Sequence, residues 1–151
     1  MKVSDFANVV EVQDPAALAA FLERRDDDGF NAFWCCHSSQ LPALHVLANG
    51  PLACVAYYED ENNPEQYVKG GVVVSAGGTT EFRIDPSMDT EPRTNAYVVD
   101  HATAVRVAGQ FMSSDALPPG VEWLKMWATS RFWVKVEVRK SRVLRLPCSR
   151  C

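Results

Sequence analysis

The chain has 151 residues, of which 47% are hydrophobic and 23% are charged, a composition typical of one domain with a buried core. This excludes disorder throughout, and the longest apolar runs, such as residues 51–58, are far shorter than the roughly 18 residues of a membrane-spanning helix. Residues 1–130 carry 8 Lys and Arg against 18 Asp and Glu, a net charge of −10, whereas residues 131–151 carry 7 against 1, a net charge of +6. An acidic body of this kind repels nucleic acid and attracts cationic partners.

The first predicted element is a helix over residues 14–25. Asp14 can cap its N-terminus, and Pro15 suits the first helical position. The basic residues at its end are typical of a helix C-terminus, where positive charge interacts favourably with the helix dipole. Three apolar residues at helical spacing predict one buried face: Leu18, Phe21 and Leu22.

Three strands are predicted next, over residues 30–36, 43–48 and 52–58, and they favour an antiparallel meander. Asn49-Gly50 is a strong hairpin signal, although we expect Pro51 to make that turn longer or irregular.

A second hairpin is predicted after an exposed polar loop at residues 59–66. Its strands are residues 72–75 and 80–84, closed through Gly77-Gly78. Residues 85–93, which include two prolines, are predicted to be a connection.

A second helix is predicted over residues 101–112, with Asp100 as its N-cap. Glycine weakens a helix by about 1 kcal/mol relative to alanine, so we expect Gly109 to reflect close packing against the sheet. A last strand is predicted over residues 121–126. Three residues define the buried face of the second helix: Ala104, Ala108 and Phe111.

These elements predict an α+β fold, an antiparallel meander sheet with two helices packed against one face. The domain prediction is a single α+β domain over residues 1–130 and a basic C-terminal extension over residues 131–151. Apolar and charged residues alternate over residues 131–139, which predicts an edge strand, and the rest of the extension is expected to be frayed.

The location of the protein is predicted from its N-terminus and its cysteines. Acidic residues at Asp5, Glu11 and Asp14 stand where a signal peptide carries its apolar stretch. The cysteines number five, and their spacing is unlike a secreted disulfide framework. We therefore expect a cytoplasmic protein with reduced thiols.

Enzymatic motifs are incomplete in this sequence. Residues 147–151, Pro-Cys-Ser-Arg-Cys, match only half of the zinc deaminase signature, and no His-x-Glu or Cys-x-Glu supplies the rest. Cys35, Cys36 and His37 are consecutive in a predicted strand, so their side chains face opposite sides, and we predict small buried cysteines in place of metal ligands. The sequence predicts no catalytic residue, no metal site and no cofactor.

The candidate binding site is an acidic loop with aromatic residues at its mouth, a combination that suits a basic protein surface. In the alternative interpretation the tyrosines belong to the core and the acids are only solvated. Trp123 is predicted to lie in the core. The predicted partner-binding residues are Tyr58, Glu59, Asp60, Glu61 and Glu65.

Several of these segments occur together in a characteristic order: residues 52–60, Gly70-Gly71, Phe82, residues 104–112 and residues 117–123. An apolar strand leads to aromatic and acidic residues, glycines and a helix with an Ala and Phe face follow, and a Pro-x-x-Val-x-Trp-like stretch closes the series. In this order the chain resembles the first-numbered immunity-protein family of bacterial polymorphic toxin systems, over residues 10–127.

The resemblance implies a non-enzymatic antidote that binds a cognate toxin domain, often a nucleic-acid deaminase or nuclease, and blocks its active site. It also implies that Gly70, Gly71 and Trp123 are scaffold residues and that the acidic loop faces the toxin. A toxin that holds nucleic acid has a cationic groove, which an acidic loop can occupy as a polyphosphate does. Neither nucleic acid nor a membrane is expected as the primary partner.

Two other functions stay open at this point. A small nucleic-acid-binding module predicts salt-sensitive binding to DNA or RNA that is lost when residues 131–151 are deleted. A small enzyme of unrecognised type predicts a bound metal or a deep polar cleft. The residues that a nucleic-acid-binding module would use are Trp133, Arg139, Lys140, Arg142 and Arg145.

Overall fold

In the computed structural model, which describes residues 1–75 and 77–126, the chain forms an eight-stranded antiparallel sheet, a separate two-stranded sheet and two helices. The predicted fold class, α+β with two helices on one face of an antiparallel sheet, is confirmed. The helices are α1 (Pro15–Leu22) and α2 (His101–Ser114). The strands are β1 (Lys2–Ser4), β2 (Val9–Glu11), β3 (Phe30–Cys36), β4 (Ala43–Asn49), β5 (Leu52–Tyr58), β6 (Gln66–Val68), β7 (Thr79–Phe82), β8 (Glu91–Thr94), β9 (Val98–Asp100) and β10 (Trp123–Lys125).

The predicted meander β3-β4-β5 forms the centre of the large sheet, whose order is β10-β6-β5-β4-β3-β1-β2, with β9 pairing with the first half of β5. Asn49 pairs with Leu52, so the β4-β5 turn has only Gly50 and Pro51 between its strands, and the expectation of a longer turn was wrong. Gly50 has a φ of 51°, which glycine adopts without strain, and the fixed φ of proline fits the next position.

Helix α1 begins as predicted but ends three residues early. The Asp14 side chain accepts a hydrogen bond from the Ala17 amide at 2.8 Å, and Pro15 is the first helical residue. Arg25 lies beyond the helix, and its guanidinium donates to the carbonyl oxygens of Leu22, at 2.7 Å, and Gly50, at 3.1 Å. These bonds satisfy a carbonyl group at the end of the helix and one in the β4-β5 turn.

Helix α2 begins at the predicted residue, continues two residues beyond the predicted end, to Ser114, and differs from the prediction at Gly109. Asp100 caps it by accepting a hydrogen bond from the Thr103 amide at 2.6 Å. A Cβ placed on Gly109 would meet no atom within 4 Å outside its own helix backbone and chain neighbours, so close packing does not explain this glycine and that prediction was wrong. The buried residues of the helix are His101, Ala104, Val107, Ala108 and Phe111.

Both faces of the large sheet carry a hydrophobic core. The two helices cover one face, which we call the helix face. The two-stranded sheet β7-β8 and its neighbouring segments cover part of the other, which we call the hairpin face, and the Asn49 amide ties β4 to the carbonyl of Glu81 at 2.9 Å. The hairpin-face core consists of Ala32, Leu47, Cys54, Ala56, Tyr67, Phe82 and Val98.

The predicted second hairpin was wrong in its pairing. Strand β7 pairs with β8 inside the segment that was predicted to be a connection, and residues 72–75 form no strand. Val72 is 94% exposed, while Asn95 holds the Ser75 carbonyl through its side-chain amide at 2.7 Å and the Gly78 carbonyl through its backbone amide at 3.0 Å. Residues 72–75 thus follow an irregular path that Asn95 fixes at Ser75.

The predicted extension at residues 131–151 lies outside the described residues, as do the residues named for nucleic-acid binding. Within the described ranges, neither helix has the length and apolar character required to cross a bilayer.

Candidate interaction surface

The predicted acidic loop is a closed turn between β5 and β6, which we call the acidic turn and define as residues 59–64. Asp60 Oδ1 accepts hydrogen bonds from the backbone amides of Asn62, at 2.7 Å, and Asn63, at 3.0 Å. The Asn63 side-chain amide donates to Asp60 Oδ2 at 2.7 Å and to Glu59 Oε2 at 3.3 Å. Asp60 therefore closes the turn through its hydrogen bonds and also contributes one of its negative charges.

Glu59, Asp60 and Glu61 are all exposed, so the acidic turn presents three carboxylates to solvent. Its internal hydrogen bonds hold the Glu59 and Asp60 carboxylates in place before any partner arrives. Such preorganisation reduces the conformational entropy lost on binding.

Glu65, the fifth predicted site residue, points into the fold. It is partly buried, and its carboxylate accepts a hydrogen bond from the Tyr67 hydroxyl on β6. Burial, with the neighbouring Glu65 carboxylate as the next cause, raises the pKa of both Tyr58 and Tyr67. Both hydroxyls are therefore protonated at neutral pH. Glu65 fixes the chain directly after the acidic turn to Tyr67 on β6.

Three neighbouring rings lie across β3, β4 and β5. We call these residues, Trp34, His45 and Tyr58, the aromatic ladder. The Trp34 ring centroid lies 5.6 Å from that of His45 and 5.3 Å from that of Tyr58. All three are partly buried on the hairpin face. Trp34 and His45 were not among the predicted site residues, although the alternation of β3 and β4 places them opposite the buried helix-face residues.

The electrostatics of the aromatic ladder differ from those of the acidic turn. Burial, helped by the nearby charge of Arg93, lowers the pKa of His45 to about 4, so this imidazole is neutral at physiological pH. Arg93 itself is paired with Glu91 at 3.3 Å. The Trp34 indole N–H is buried and has no hydrogen-bond partner.

The predicted scaffold residues have structural contacts. A Cβ on Gly70 would lie 2.1 Å from the Val98 carbonyl oxygen, so only glycine fits where this segment runs along β9. Trp123 packs against the helix-face core, with its ring centroid 6.1 Å from that of Tyr57, and its indole N–H donates to the Pro118 carbonyl at 2.9 Å.

Other candidate groups have structural roles. Cys35 and Cys36 are buried, as predicted, and burial raises the pKa of the Cys35 thiol to about 12. In the acidic run at residues 26–28, Asp26 and Asp28 pair with Arg83 at 2.9 Å and 3.0 Å. Within residues 1–75 and 77–126, no three His, Cys, Asp or Glu side chains are grouped so that they could hold a metal ion.

Comparison with protein families and with curated proteins identifies no relative. No model of a protein family matches the sequence, and no curated protein matches it either. The resemblance to the immunity-protein family, and the partner that it implies, therefore stay predictions.

Proposed function

We propose that this protein is an immunity protein of a bacterial polymorphic toxin system, which binds a cognate toxin domain in the cytoplasm and occludes its active site. In this role the protein makes or breaks no covalent bond. It acts by covering the site where the toxin holds its substrate.

The acidic turn is the observation that carries this proposal. Three exposed carboxylates stand on a turn that Asp60 closes, and Glu65, directly after the turn, bonds to Tyr67 on β6. Residues 1–130 add a net charge of −10, which speeds encounter with a cationic protein at low salt.

A toxin that acts on nucleic acid is the partner class that suits this charge. Such a domain has a cationic groove for phosphates, and a preorganised row of carboxylates competes for the same groove. A nucleic-acid deaminase or nuclease is therefore the proposed target, in agreement with the resemblance of the sequence.

The proposal expects a toxin domain to be encoded beside this gene, and the test is to express and purify that domain and to measure its activity on nucleic acid as this protein is added. We expect inhibition that is complete at equal molar amounts, and survival of cells that express both proteins. Full toxin activity in the presence of excess protein would overturn the proposal. So would DNA or RNA binding by this chain at physiological salt without any inhibition.

The informative variant is the double reversal Glu59→Lys with Glu61→Lys, which retains Asp60 and hence the closed turn. Its control is Asp27→Lys with Asp89→Lys, which changes the net charge equally at two other exposed positions. Asp27 precedes β3 at the end of the sheet away from the acidic turn, roughly 20 Å along a seven-residue strand. The proposal expects the first double variant to lose inhibition and the control to keep it.

A further inference from the structure

We propose that Glu59, Asp115 and the Tyr57 hydroxyl form one binding site for a basic side chain, a lysine or an arginine, of the cationic partner. We call these three residues the helix-end site, because they lie where the C-terminus of α2 meets the end of β5. This inference rests on the proposed function and extends the interaction surface from the acidic turn to the helix face.

Tyr57 brings the two carboxylates together. It is the last buried residue of β5, and its ring packs against that of Phe111 on α2, with the centroids 6.2 Å apart. Glu59 follows two residues later, so the alternation of an extended chain places it on the same side as Tyr57. Asp115 caps the C-terminus of α2, where its backbone amide donates to the Phe111 carbonyl at 3.0 Å. The end of the strand and the end of the helix therefore meet at Tyr57.

The Tyr57 hydroxyl is an independent observation that points to a ligand. The side chain is only 5% exposed, yet its hydroxyl forms no hydrogen bond with any residue that the structure describes. Burial, with the charges of Glu59 and Asp115 as the next causes, raises the pKa of this hydroxyl, so it is protonated at neutral pH. A cationic donor can bind the hydroxyl oxygen and both carboxylates at once.

The charge around the helix-end site is negative. Within residues 1–75 and 77–126, neither Glu59 nor Asp115 takes part in an ion pair, and both are exposed. Helix α2 has no basic residue in its last turn, so the negative pole of its dipole adds to the two carboxylates. Lys125 lies two strands from Tyr57, across Gln66, and is not among the charges that shift the pKa of Tyr57.

The first arm of the test uses the full chain without toxin. Isotope-labelled protein is titrated with the peptide acetyl-Gly-Lys-Gly-amide, with its arginine counterpart and with its acetyl-lysine counterpart, and backbone amides are followed by NMR. We expect both basic peptides to shift the amides of Glu59 and Asp115 and the neutral peptide to leave them unchanged. The variant Asp115→Asn keeps the side-chain shape and tolerates the left-handed φ of 54°, and it should weaken binding at least threefold.

Two kinds of result in this arm would overturn the inference. One is the absence of shifts at the helix-end site, or equal shifts with the acetyl-lysine peptide or in Asp115→Asn. The other is a change at residues 131–151 in the spectrum of Asp115→Asn without peptide, because the occupant would then be the basic segment of this chain itself.

The second arm measures the affinity of Tyr57→Phe and Asp115→Asn for the toxin domain. Tyr57→Phe removes only the hydroxyl, and its thermal unfolding should match that of the wild type, because this hydroxyl has no partner among the described residues. We expect the dissociation constant to rise about fivefold in Tyr57→Phe and about tenfold in Asp115→Asn. The matched controls, Tyr97→Phe on the hairpin face and Asp27→Asn at an exposed position, should bind as the wild type does.

The two arms separate failure of this site from failure of the proposed function. Inhibition of the toxin that is unchanged by both Tyr57→Phe and Asp115→Asn would overturn the helix-end site and leave the immunity function standing. A toxin that the wild type does not bind, together with peptide shifts at Glu59 and Asp115, would overturn the function and leave the site standing.

Discussion

The carboxylate of Glu65, which directly follows the acidic turn in the chain, accepts a hydrogen bond from the hydroxyl of Tyr67. Glu65 is therefore part of the fold, whereas Glu59 and Glu61, its neighbours in the sequence, are exposed charges. The five predicted site residues thus divide into exposed acids, which we propose bind the partner, and the residues that support them.

Replacing Glu65 should lower stability, and replacing Glu61 should not. Glu65→Ala leaves the partly buried hydroxyl of Tyr67 without its acceptor, which costs about 1–3 kcal/mol of unfolding free energy. Glu61→Ala at an exposed position should change it by less than about 0.5 kcal/mol. Urea unfolding measures both, and equal stabilities of the two variants would show that Glu65 has no anchoring role.

Gly70→Ala should prevent stable folding or cost about 3 kcal/mol or more, because the added Cβ would lie 2.1 Å from the Val98 carbonyl oxygen and the contact is with backbone. Thermal unfolding followed by circular dichroism measures the loss. A variant with the wild-type melting temperature would mean that the segment and β9 can separate without cost.

Gly109→Ala should stabilise the protein by about 0.5–1 kcal/mol. The residue lies inside α2, alanine is the better helix former, and a Cβ there meets no neighbouring atom within 4 Å. Urea unfolding checks this with Gly70→Ala as the opposite case. Destabilisation would reveal a packing constraint on this face of α2.

Stability should fall as the pH drops below about 6.5, because an unfolded histidine titrates near that value whereas burial holds the pKa of His45 at about 4. Between these values the unfolded chain binds a proton that the folded chain does not. The contribution of His45 is complete above pH 6.5, and the loss at pH 4 is on the order of 3 kcal/mol. Burial, followed by the charge of Arg25, also lowers the pKa of His101, which adds in the same direction.

The variant His45→Phe isolates the effect of pH on this residue, because it keeps a ring beside Trp34 and removes the titrating group. Chemical unfolding between pH 4 and pH 7 should give a flatter stability profile for His45→Phe than for the wild type. Identical slopes would contradict the assignment of this pH dependence to His45.

The elements that could be predicted from the sequence are those with complete local signals. Helix α2 had a capping aspartate and an apolar face, and β4 and β5 had apolar stretches on either side of a recognisable Asn-Gly turn. Strand β8 could not be predicted, because Glu-Pro-Arg-Thr has low strand propensity and is a strand only through its pairing with β7. Strands β1, β2 and β6 are three residues each, too short to show a period.

The candidate surface was only partly visible in the sequence for a similar reason. The run from Tyr58 to Glu61 is local and could be found by composition. The contact of Trp34 with Tyr58 depends on the register of three strands, and the inward direction of Glu65 depends on Tyr67. Both follow from tertiary pairing, which a single sequence does not display.

The affinity for the neighbouring toxin domain, measured by calorimetry at low and high salt, tests most directly whether the acidic turn is the binding element. The wild type should bind more weakly as salt rises. The double variant Glu59→Lys with Glu61→Lys should lose about 3 kcal/mol, roughly a hundredfold in the dissociation constant, while Asp27→Lys with Asp89→Lys stays within a few-fold of wild type. Equal losses in the two double variants, or none in either, would contradict the account.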